Sequence, residues 1–489
     1  MDAGERMTTL TVMPAPQQML SPAVQSVLTR AADPAYEKWA AQLKHTGYCR
    51  RPVRLVGSSL TVEESTGLVR SVFDTSCEPD GMLLKACRNR RTTVCPTCAE
   101  TYRADSYQLI SAGLQGGKSV PASVASHPRL FVTLTAPSFG PVHSRRETDT
   151  GQVRLCRPAR GHCPHGNRNG CYRRHSEGDE LLGQPICPDG FDYRGAVLWQ
   201  AQTGELWRRT TIAVVRALAR QVGRPVRRVQ QEVRLSYTKV VEYQARGLVH
   251  FHVVIRLDAR PPVEEPDMVL APPAGYSTDL LAAAVQQTAR TTTAPALTAD
   301  PDQDGVIGWG SQLDVKTVSA PAEDGGSRHV AAYLAKYATK STDESGALDH
   351  RLATADDIEL LAVNDHLRRL VTTAWQLGGR SHLAGLKLRL WAHTLGYRGH
   401  WATRSRRYST TLRALRLARQ QWHHDTDVAD VAEVVPIVRA GDWRFAGRGY
   451  RTLGDAWLAE TAGIARAHQR REARAAIRAP ADLPDRRSA

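Results

Sequence analysis

The stretch Gly247–Asp258, GLVHFHVVIRLD, decides the fold of the region around it. Its aliphatic and β-branched residues are typical of a buried strand, and they are interrupted by His250 and His252. Residues i and i+2 of a strand point to the same side of a sheet, so both imidazoles face one spot. One interpretation is a strand with two half-buried histidines, and the other is a metal site.

A carboxylate upstream favours the metal site. Glu242 follows a short β-branched run, and Ala245-Arg246-Gly247 is typical of a tight turn that leads back into the histidine strand. The resulting hairpin places Glu242 opposite His250 and His252. Two imidazoles and one carboxylate, with coordination positions left open, suit a divalent ion that polarises a substrate oxygen.

The bulk composition indicates a globular protein with a polyanionic partner. The chain has 489 residues, of which 42% are hydrophobic, enough for two to four domains. No apolar run reaches the length of a membrane span, and the first residues lack the pattern of a secretion signal, so we expect a cytoplasmic protein without membrane contact. The net charge of +16 points to nucleic acid.

Part of this charge is concentrated near the C-terminus. Between His366 and His424 there is no Asp or Glu, while arginines recur and aromatic residues are interleaved with them. A solvated basic face is the simpler interpretation, but a segment this long without acidic residues favours a surface for the phosphate backbone. The predicted DNA-binding residues are Lys387, Arg389, Arg398, Arg404, Arg406 and Arg407.

The nine cysteines favour metal sites over disulfides, because their number is odd and no export signal is present. Cys95-Pro-Thr-Cys98 has the spacing of a zinc knuckle, and with Cys87 and Cys49 it predicts a structural zinc site with four thiolates. Cys77 is a spare candidate. A redox pair is the alternative, but the surrounding sequence lacks the βαβ pattern of redox proteins.

A second cysteine and histidine cluster lies in a stretch rich in Gly, Arg and Pro. Such a stretch buries little apolar surface, so a metal ion is expected to hold it together. The predicted zinc ligands are Cys163, Cys171, His175 and Cys187, with Cys156 or His165 as substitutes.

A second chemical signal is the segment Tyr333-Leu-Ala-Lys-Tyr337-Ala-Thr-Lys340. On a helix, positions four apart share one face, so both phenols can point to one site together with Lys336 and Lys340. Tyrosines one turn apart are often core residues, which is the alternative. A neighbouring ammonium and a bound cation both favour the phenolate, which makes tyrosine a nucleophile towards a phosphodiester.

These motifs, in this order and with Thr133-Leu-Thr135 before them, resemble those of the HUH endonucleases, and specifically the RepSA-like rolling-circle replication initiators of actinobacterial plasmids and integrative elements. The resemblance extends from about Gly47 to the C-terminal helix. It implies an α+β fold with a five-stranded antiparallel sheet and flanking helices, a Mg²⁺ or Mn²⁺ ion, and nicking at a plasmid double-strand origin. Two departures stand out: Cys187-Pro-Asp-Gly190 replaces a Cys-x-x-Cys pair, and Tyr333 occupies a place where one-tyrosine relatives can carry Glu.

The expected function is therefore a replication initiator that nicks one strand, keeps the 5′-phosphate on tyrosine, releases a 3′-hydroxyl and relies on host replication machinery including a helicase. Tyr337 is the first choice of nucleophile. The alternatives are a relaxase or single-strand transposase with the same chemistry, and a non-enzymatic zinc-containing DNA-binding regulator. The expected regions are a mobile tail (1–45), a zinc-binding segment (46–105), a nickase core (106–345) with insertions at 156–190 and 258–308, and a basic, mainly helical DNA-binding region (346–489).

Overall fold

The computed structural model describes residues 20–63, 65–318, 326–340, 350–427 and 437–478, without the side chains of 70, 71, 326, 337–340, 420–427, 437, 439 and 474–478. The chain is a mixed α+β protein with antiparallel sheets. It forms two compact units. The first comprises Met1–Asn89, Val94–Cys98 and Ala432–Ala489, and the second comprises Arg90–Thr93 and Ala99–Val431.

The regular elements are numbered here in chain order. The helices are α1 (Pro22–Ala31), α2 (Tyr36–His45), α3 (Pro96–Gln115), α4 (Tyr193–Gln221), α5 (Val226–Glu232), α6 (Thr278–Thr291), α7 (Gly326–Lys340), α8 (Asp365–Leu377), α9 (Leu388–Trp391), α10 (Leu412–Asp427) and α11 (Leu453–Arg478). The strands are β1 (Val53–Glu63), β2 (Val69–Asp74), β3 (Leu83–Lys85), β4 (Arg129–Leu134), β5 (Val233–Tyr243), β6 (Val249–Ala259), β7 (Thr293–Leu297), β8 (Asp304–Gly308), β9 (Leu313–Thr317), β10 (Ala402–Arg404) and β11 (Ile437–Arg448).

The second unit is built on a five-stranded sheet with the order β10-β5-β6-β4-β9, and each neighbouring pair is antiparallel. The β-branched residues of β6 place it at the centre, where every residue from Phe251 to Asp258 is buried. The predicted hairpin is confirmed, with Gln244 and Leu248 bonded across the turn. The pleat therefore sends His250 and His252 to one face and Phe251 to the other.

The long helix α4 covers the Phe251 face. The Asp192 side chain caps its first turn by accepting from the Gly195 amide at 2.8 Å. The apolar residues recur at helical spacing and bury Trp199 and Trp207, and the Trp207 ring meets Phe251 at a centroid distance of 6.3 Å. The Lys239 ammonium group lies 4.0 Å from the Phe251 centroid, where burial lowers the pKa of this lysine to about 7.

The first unit contains a second antiparallel sheet with the order β11-β1-β2, to which β3 adds by pairing with β1. β1 and β11 pair along their whole length, from Val53 with Arg448 to Glu63 with Ile437. Gly57 has φ +148°, and its backbone lies so close to β11 that an added Cβ would stand 2.0 Å from the Asp442 carbonyl oxygen.

The expected region boundaries differ from this division. Residues 346–489 were expected to form one mainly helical region, but they contribute β10 to the sheet of the second unit and β11 to that of the first. The expected N-terminal tail contains α1 and α2 within its described part, and the expected insertion at 258–308 contains α6 and a β7–β8 hairpin. Within the described ranges, no helix combines the length with the apolar composition that a membrane crossing requires.

Candidate functional site

Register in the β5–β6 hairpin assembles the first candidate metal centre. Glu242 pairs with His250, and Val240 pairs with His252, so the carboxylate and both imidazoles lie on one face of two adjacent strands. One oxygen, Oε2 of Glu242, lies 2.9 Å from Nε2 of His250 and 3.0 Å from Nε2 of His252. The hairpin therefore brings together the three residues that the sequence singled out.

The donor set and spacing fit a divalent ion. Two ligand atoms that bind at right angles about 2.1 Å from a cation lie about 3.0 Å apart, which matches the Glu242 to histidine distances. The ligand atoms of all three residues lie within 4.8 Å of one another. Three protein ligands from one side leave further coordination positions for water or substrate oxygen.

Neighbouring side chains fix the orientation of His252. Its Nδ1 lies 3.1 Å from Thr133 Oγ1 on β4, and the Phe131 ring stacks on it at 5.9 Å between centroids and an angle of 10°. If Nδ1 carries the proton and donates to the Thr133 hydroxyl, then Nε2 presents its lone pair to a metal ion. His252 is only 3% exposed, so these contacts restrict its alternatives.

The electrostatics of the centre keep the carboxylate charged. Burial alone raises the pKa of Glu242, but the hydrogen bonds and charges of His250 and His252 outweigh it, and the resulting pKa lies below its ordinary value. Burial lowers the pKa of His252, which favours the neutral imidazole that binds metal. Both shifts favour the protonation states of metal ligands.

The helix α7 places a tyrosine against this centre. The Tyr333 ring meets the His252 ring edge to face, at 5.2 Å and 89°, and the Phe131 ring at 5.7 Å and 81°. Leu334 on the same helix is buried, whereas Tyr333 is 39% exposed and Lys336 is exposed. The side chains of Tyr337 and Lys340 lie outside the part of the chain whose side chains are described; their backbone continues α7.

The four predicted cysteines of the first unit converge. The Sγ atoms of Cys49 and Cys95 lie 3.8 Å apart, and those of Cys87 and Cys98 lie 3.7 Å apart. Two sulfurs about 2.3 Å from a tetrahedral zinc ion lie about 3.8 Å apart, whereas a disulfide requires about 2.05 Å. The thiols of this group fit one zinc ion. Cys77 is exposed and stands outside the group.

The second cluster departs from the expected grouping. Cys171 and His175 come together with Cys156 and His143, whereas Cys163 and Cys187 come together with His165. A single site made of Cys163, Cys171, His175 and Cys187 is thus corrected to two separate groups. The reason is the path of an irregular chain, which spacing along the sequence does not determine. His143 was missed because it stands alone, without a nearby cysteine or histidine.

The predicted DNA-binding residues are spread over several local settings. Lys387, Arg389, Arg398 and Arg406 are exposed, whereas Arg404 and Arg407 are half-buried. Arg407 pairs with Asp267 at 3.0 Å. Two of the interleaved aromatic residues, Tyr397 and Tyr408, are 2% and 0% exposed and belong to the core. They therefore do not share a surface with the arginines.

Comparisons with known proteins place the chain in a family. Residues 35–463 match a family model described as "Replication initiator protein, pSAM2" and named RepSA. A curated relative from Streptomyces ambofaciens, described as "Replication initiator protein", is 40% identical over 476 residues, which cover 95% of this chain and 98% of the relative. No solved structure matches the chain. The chain belongs to the RepSA family of replication initiator proteins.

Proposed function

We propose that this replication initiator acts at a plasmid double-strand origin as an HUH nickase, which cuts one DNA strand by tyrosine transesterification. The observation that carries the proposal is the convergence of Glu242, His250 and His252 on the face of the sheet against which Tyr333 packs. A site of two imidazoles and a carboxylate next to a phenol suits phosphodiester chemistry. The net charge of +16 suits a DNA substrate.

In the proposed reaction, a tyrosine oxygen attacks the scissile phosphorus, a new O–P bond forms, and the bond from phosphorus to the 3′ oxygen breaks. The DNA keeps a 5′-phosphate on tyrosine, and the departing 3′ oxygen takes from solvent a proton equivalent to the one that the phenol gave up, which makes it the hydroxyl from which replication starts. A bound Mg²⁺ or Mn²⁺ would withdraw charge from the phosphate oxygens. Lys336 and Lys340 would stabilise the phenolate of the neighbouring tyrosine.

Two tyrosines are available for this attack. Tyr337 is proposed as the first nucleophile because of its Lys-Tyr-x-x-Lys context. Tyr333 stands one helical turn before it, beside His252, and is the candidate for a second transesterification that ends a round of replication. The exposed 39% of its surface leaves a path for DNA.

The remaining residues are proposed to shape and extend the site. The Cys49, Cys87, Cys95 and Cys98 group holds a structural zinc ion, which stabilises the first unit rather than taking part in chemistry. Lys387, Arg389, Arg398, Arg404, Arg406 and Arg407 are proposed to contact DNA phosphates. Unwinding is proposed to come from a host helicase, because the sequence lacks a Gly-rich phosphate-binding loop with its lysine.

A covalent-adduct assay tests the proposal. The protein is incubated with Mn²⁺ and supercoiled DNA that carries its origin, and adducts at the 5′ end are detected for the wild type, Tyr337→Phe and Tyr333→Phe. We expect the wild type to form an adduct and Tyr337→Phe to lose it. The exposed Tyr172 supplies a matched control, since Tyr172→Phe should behave as the wild type. A wild type without adduct contradicts the nickase proposal, and an undiminished adduct in Tyr337→Phe moves the first attack to Tyr333.

A second experiment separates the metal role from a structural role. His250→Ala removes one imidazole of the centre, and we expect it to abolish nicking while a gel shift shows origin binding unchanged. Loss of both activities would make the histidine pair a structural feature.

A further inference from the structure

The segment between β4 and α4 lacks an ordinary hydrophobic core. All of residues 135–192 are described, and their only regular element is a single turn at Pro188–Gly190, besides isolated bridges such as Arg157 with Cys171. Within 141–190 the buried residues are Cys156, Cys171, His175, Gly183, Pro185 and Cys187. The interior is therefore made mostly of sulfur and imidazole, which bury too little apolar surface to offset the entropy of ordering the chain.

The first group in this interior has the dimensions of a closed tetrahedral zinc site. His143 Nδ1 lies 3.2 Å from His175 Nε2, His175 Nε2 lies 3.5 Å from Cys171 Sγ, and His143 Nδ1 lies 3.9 Å from Cys156 Sγ. Zinc bonds of about 2.0–2.1 Å to nitrogen and 2.3 Å to sulfur separate two nitrogens by about 3.3 Å and a nitrogen from a sulfur by about 3.6 Å.

The surroundings of this group match those of zinc ligands. Asp179 Oδ2 lies 2.7 Å from His175 Nδ1, so the carboxylate accepts from the ring nitrogen that faces away from the other ligands and orients the imidazole. The backbone amide of Ser144 donates to Cys156 Sγ at 3.2 Å, which stabilises a thiolate. Cys156 is 0% and His175 is 1% exposed, so thiol and imidazole are both shielded from water.

The second group offers three ligands and is more open. Cys163 Sγ lies 3.4 Å from Cys187 Sγ, which lies 3.7 Å from His165 Nδ1. Cys187 Sγ also accepts from the Asn167 side chain and from the Gly190 amide, at 3.3 Å each. His165 is exposed, so a fourth position faces water. The sulfur separation exceeds the length of a disulfide bond, about 2.05 Å.

We propose that residues 138–192 form a module that folds around two zinc ions: one in a closed site of His143, Cys156, Cys171 and His175, and one in a three-ligand site of Cys163, His165 and Cys187 whose fourth ligand is water. With the four-cysteine group of the first unit, the chain then holds three zinc ions. This inference does not depend on the nickase chemistry.

The closed site also connects to the β5–β6 hairpin, which carries Glu242 and His250. The Gly183 amide donates to the His143 carbonyl at 2.9 Å, and the Gly183 backbone rests on the turn between β5 and β6, where an added Cβ would stand 2.2 Å from the Ala245 carbonyl carbon. That turn joins the strand of Glu242 to the strand of His250. The zinc ion at His143 therefore acts as a positioning element for the hairpin, and not as a catalytic group.

Metal counting tests the proposal on the full-length protein. Native mass spectrometry and elemental analysis should find three zinc ions in the wild type beyond any held by Glu242, His250 and His252, and one fewer in each of Cys171→Ser, Cys163→Ser and Cys95→Ser. The exposed Cys77 supplies the matched control, because Cys77→Ser should keep three. A wild type with one zinc ion overturns the proposal. If the wild type holds two zinc ions and Cys163→Ser also holds two, the three-ligand site is wrong. A wild type that is lighter by two hydrogens, because a disulfide joins Cys163 and Cys187, also overturns the three-ligand site.

A second measurement covers variants that fold poorly. Wild-type protein reconstituted with ¹¹³Cd should give three resonances in the range of sulfur-ligated cadmium, because the three ligand sets differ in sulfur content; two or fewer such resonances contradict the module. Hydrogen exchange then tests the positioning role. Amides of Gln244 and Gly247 in the hairpin turn should exchange at least tenfold faster in Cys171→Ser and at the wild-type rate in Cys163→Ser. Equal rates in all three proteins overturn the link between the closed site and the hairpin.

Discussion

Replacing Thr133 by valine tests how the β4 strand orients His252. The Thr133 hydroxyl lies 3.1 Å from Nδ1 of a histidine that is 3% exposed, so water does not readily replace it. Valine has the same branched shape but no acceptor, so it removes the hydroxyl partner of Nδ1–H in the metal-bound site. Coordination of Nε2 makes Nδ1–H a stronger donor, so the loss is larger with metal bound than without it.

The expected magnitude follows from this single contact. A buried hydrogen bond between neutral groups contributes about 1–1.5 kcal/mol, and the share of it that exists only with metal bound changes the affinity, so the Kd for Mn²⁺ should rise by up to roughly tenfold. The assay is electron paramagnetic resonance of free Mn²⁺, with protein whose cysteine sites are already loaded with zinc. This places the effect well above the error of a titration.

Two controls make this prediction specific. Thr133→Ser keeps the hydroxyl and should bind Mn²⁺ with an affinity close to that of the wild type. Thr135→Val removes a hydroxyl on the same side of the chain that donates to the Gln312 carbonyl at 2.7 Å, away from the histidine. A Thr133→Val protein with unchanged Kd, or an equal loss in Thr135→Val, would refute the orienting role.

Three further predictions concern stability. Lys239→Met should raise the free energy of unfolding by about 2–4 kcal/mol at pH 6, because burial lowers the pKa of Lys239 to about 7. Between pH 7 and about 10 the unfolded wild-type chain binds more protons than the folded chain, so the stability of the wild type rises with pH, and urea titrations should show the difference between wild type and Lys239→Met narrowing over that range. Phe251→Ala should cost about 3–5 kcal/mol in the same titrations, since the ring is 0% exposed, and a loss below 1 kcal/mol would contradict its central place. Gly57→Ala should cost about 2–3 kcal/mol by thermal unfolding, because its Cβ would stand 2.0 Å from the Asp442 carbonyl oxygen, and an unchanged melting temperature would show that β11 does not pair there.

The part of the candidate site that lies within the β5–β6 hairpin was predictable from local periodicity. The alternation of β6 and the turn before it determine that Glu242 meets His250, because register in a two-strand hairpin depends on a few adjacent residues. The Cys95-Pro-Thr-Cys98 knuckle is equally local. Its partners Cys49 and Cys87 could be identified because the chain has few cysteines, so only a small number of four-thiol combinations had to be considered.

Features that depend on distant segments were not predictable in this way. His143 joins Cys156 through an irregular loop, in which neither strand nor helix geometry relates spacing to distance. The pairing of β11 with β1 joins opposite ends of the chain, and a single sequence carries no signal for which edge a strand will select. The basic segment predicted a surface, but its aromatic residues Tyr397 and Tyr408 were needed in the core.

The pairing of β1 with β11 has a consequence for the synthesis of the protein on the ribosome. Glu63 and its partner Ile437 are separated by about 370 residues, so at about 5–20 residues per second β1 leaves the ribosome some 20–75 s before its partner exists. During that time, the edge of β1 that β11 later covers has open backbone donors and acceptors, to which another nascent chain can add. During synthesis, β1 therefore stays without this partner strand until β11 is made, and chains that terminate before β11 should be the ones that bind chaperones or aggregate.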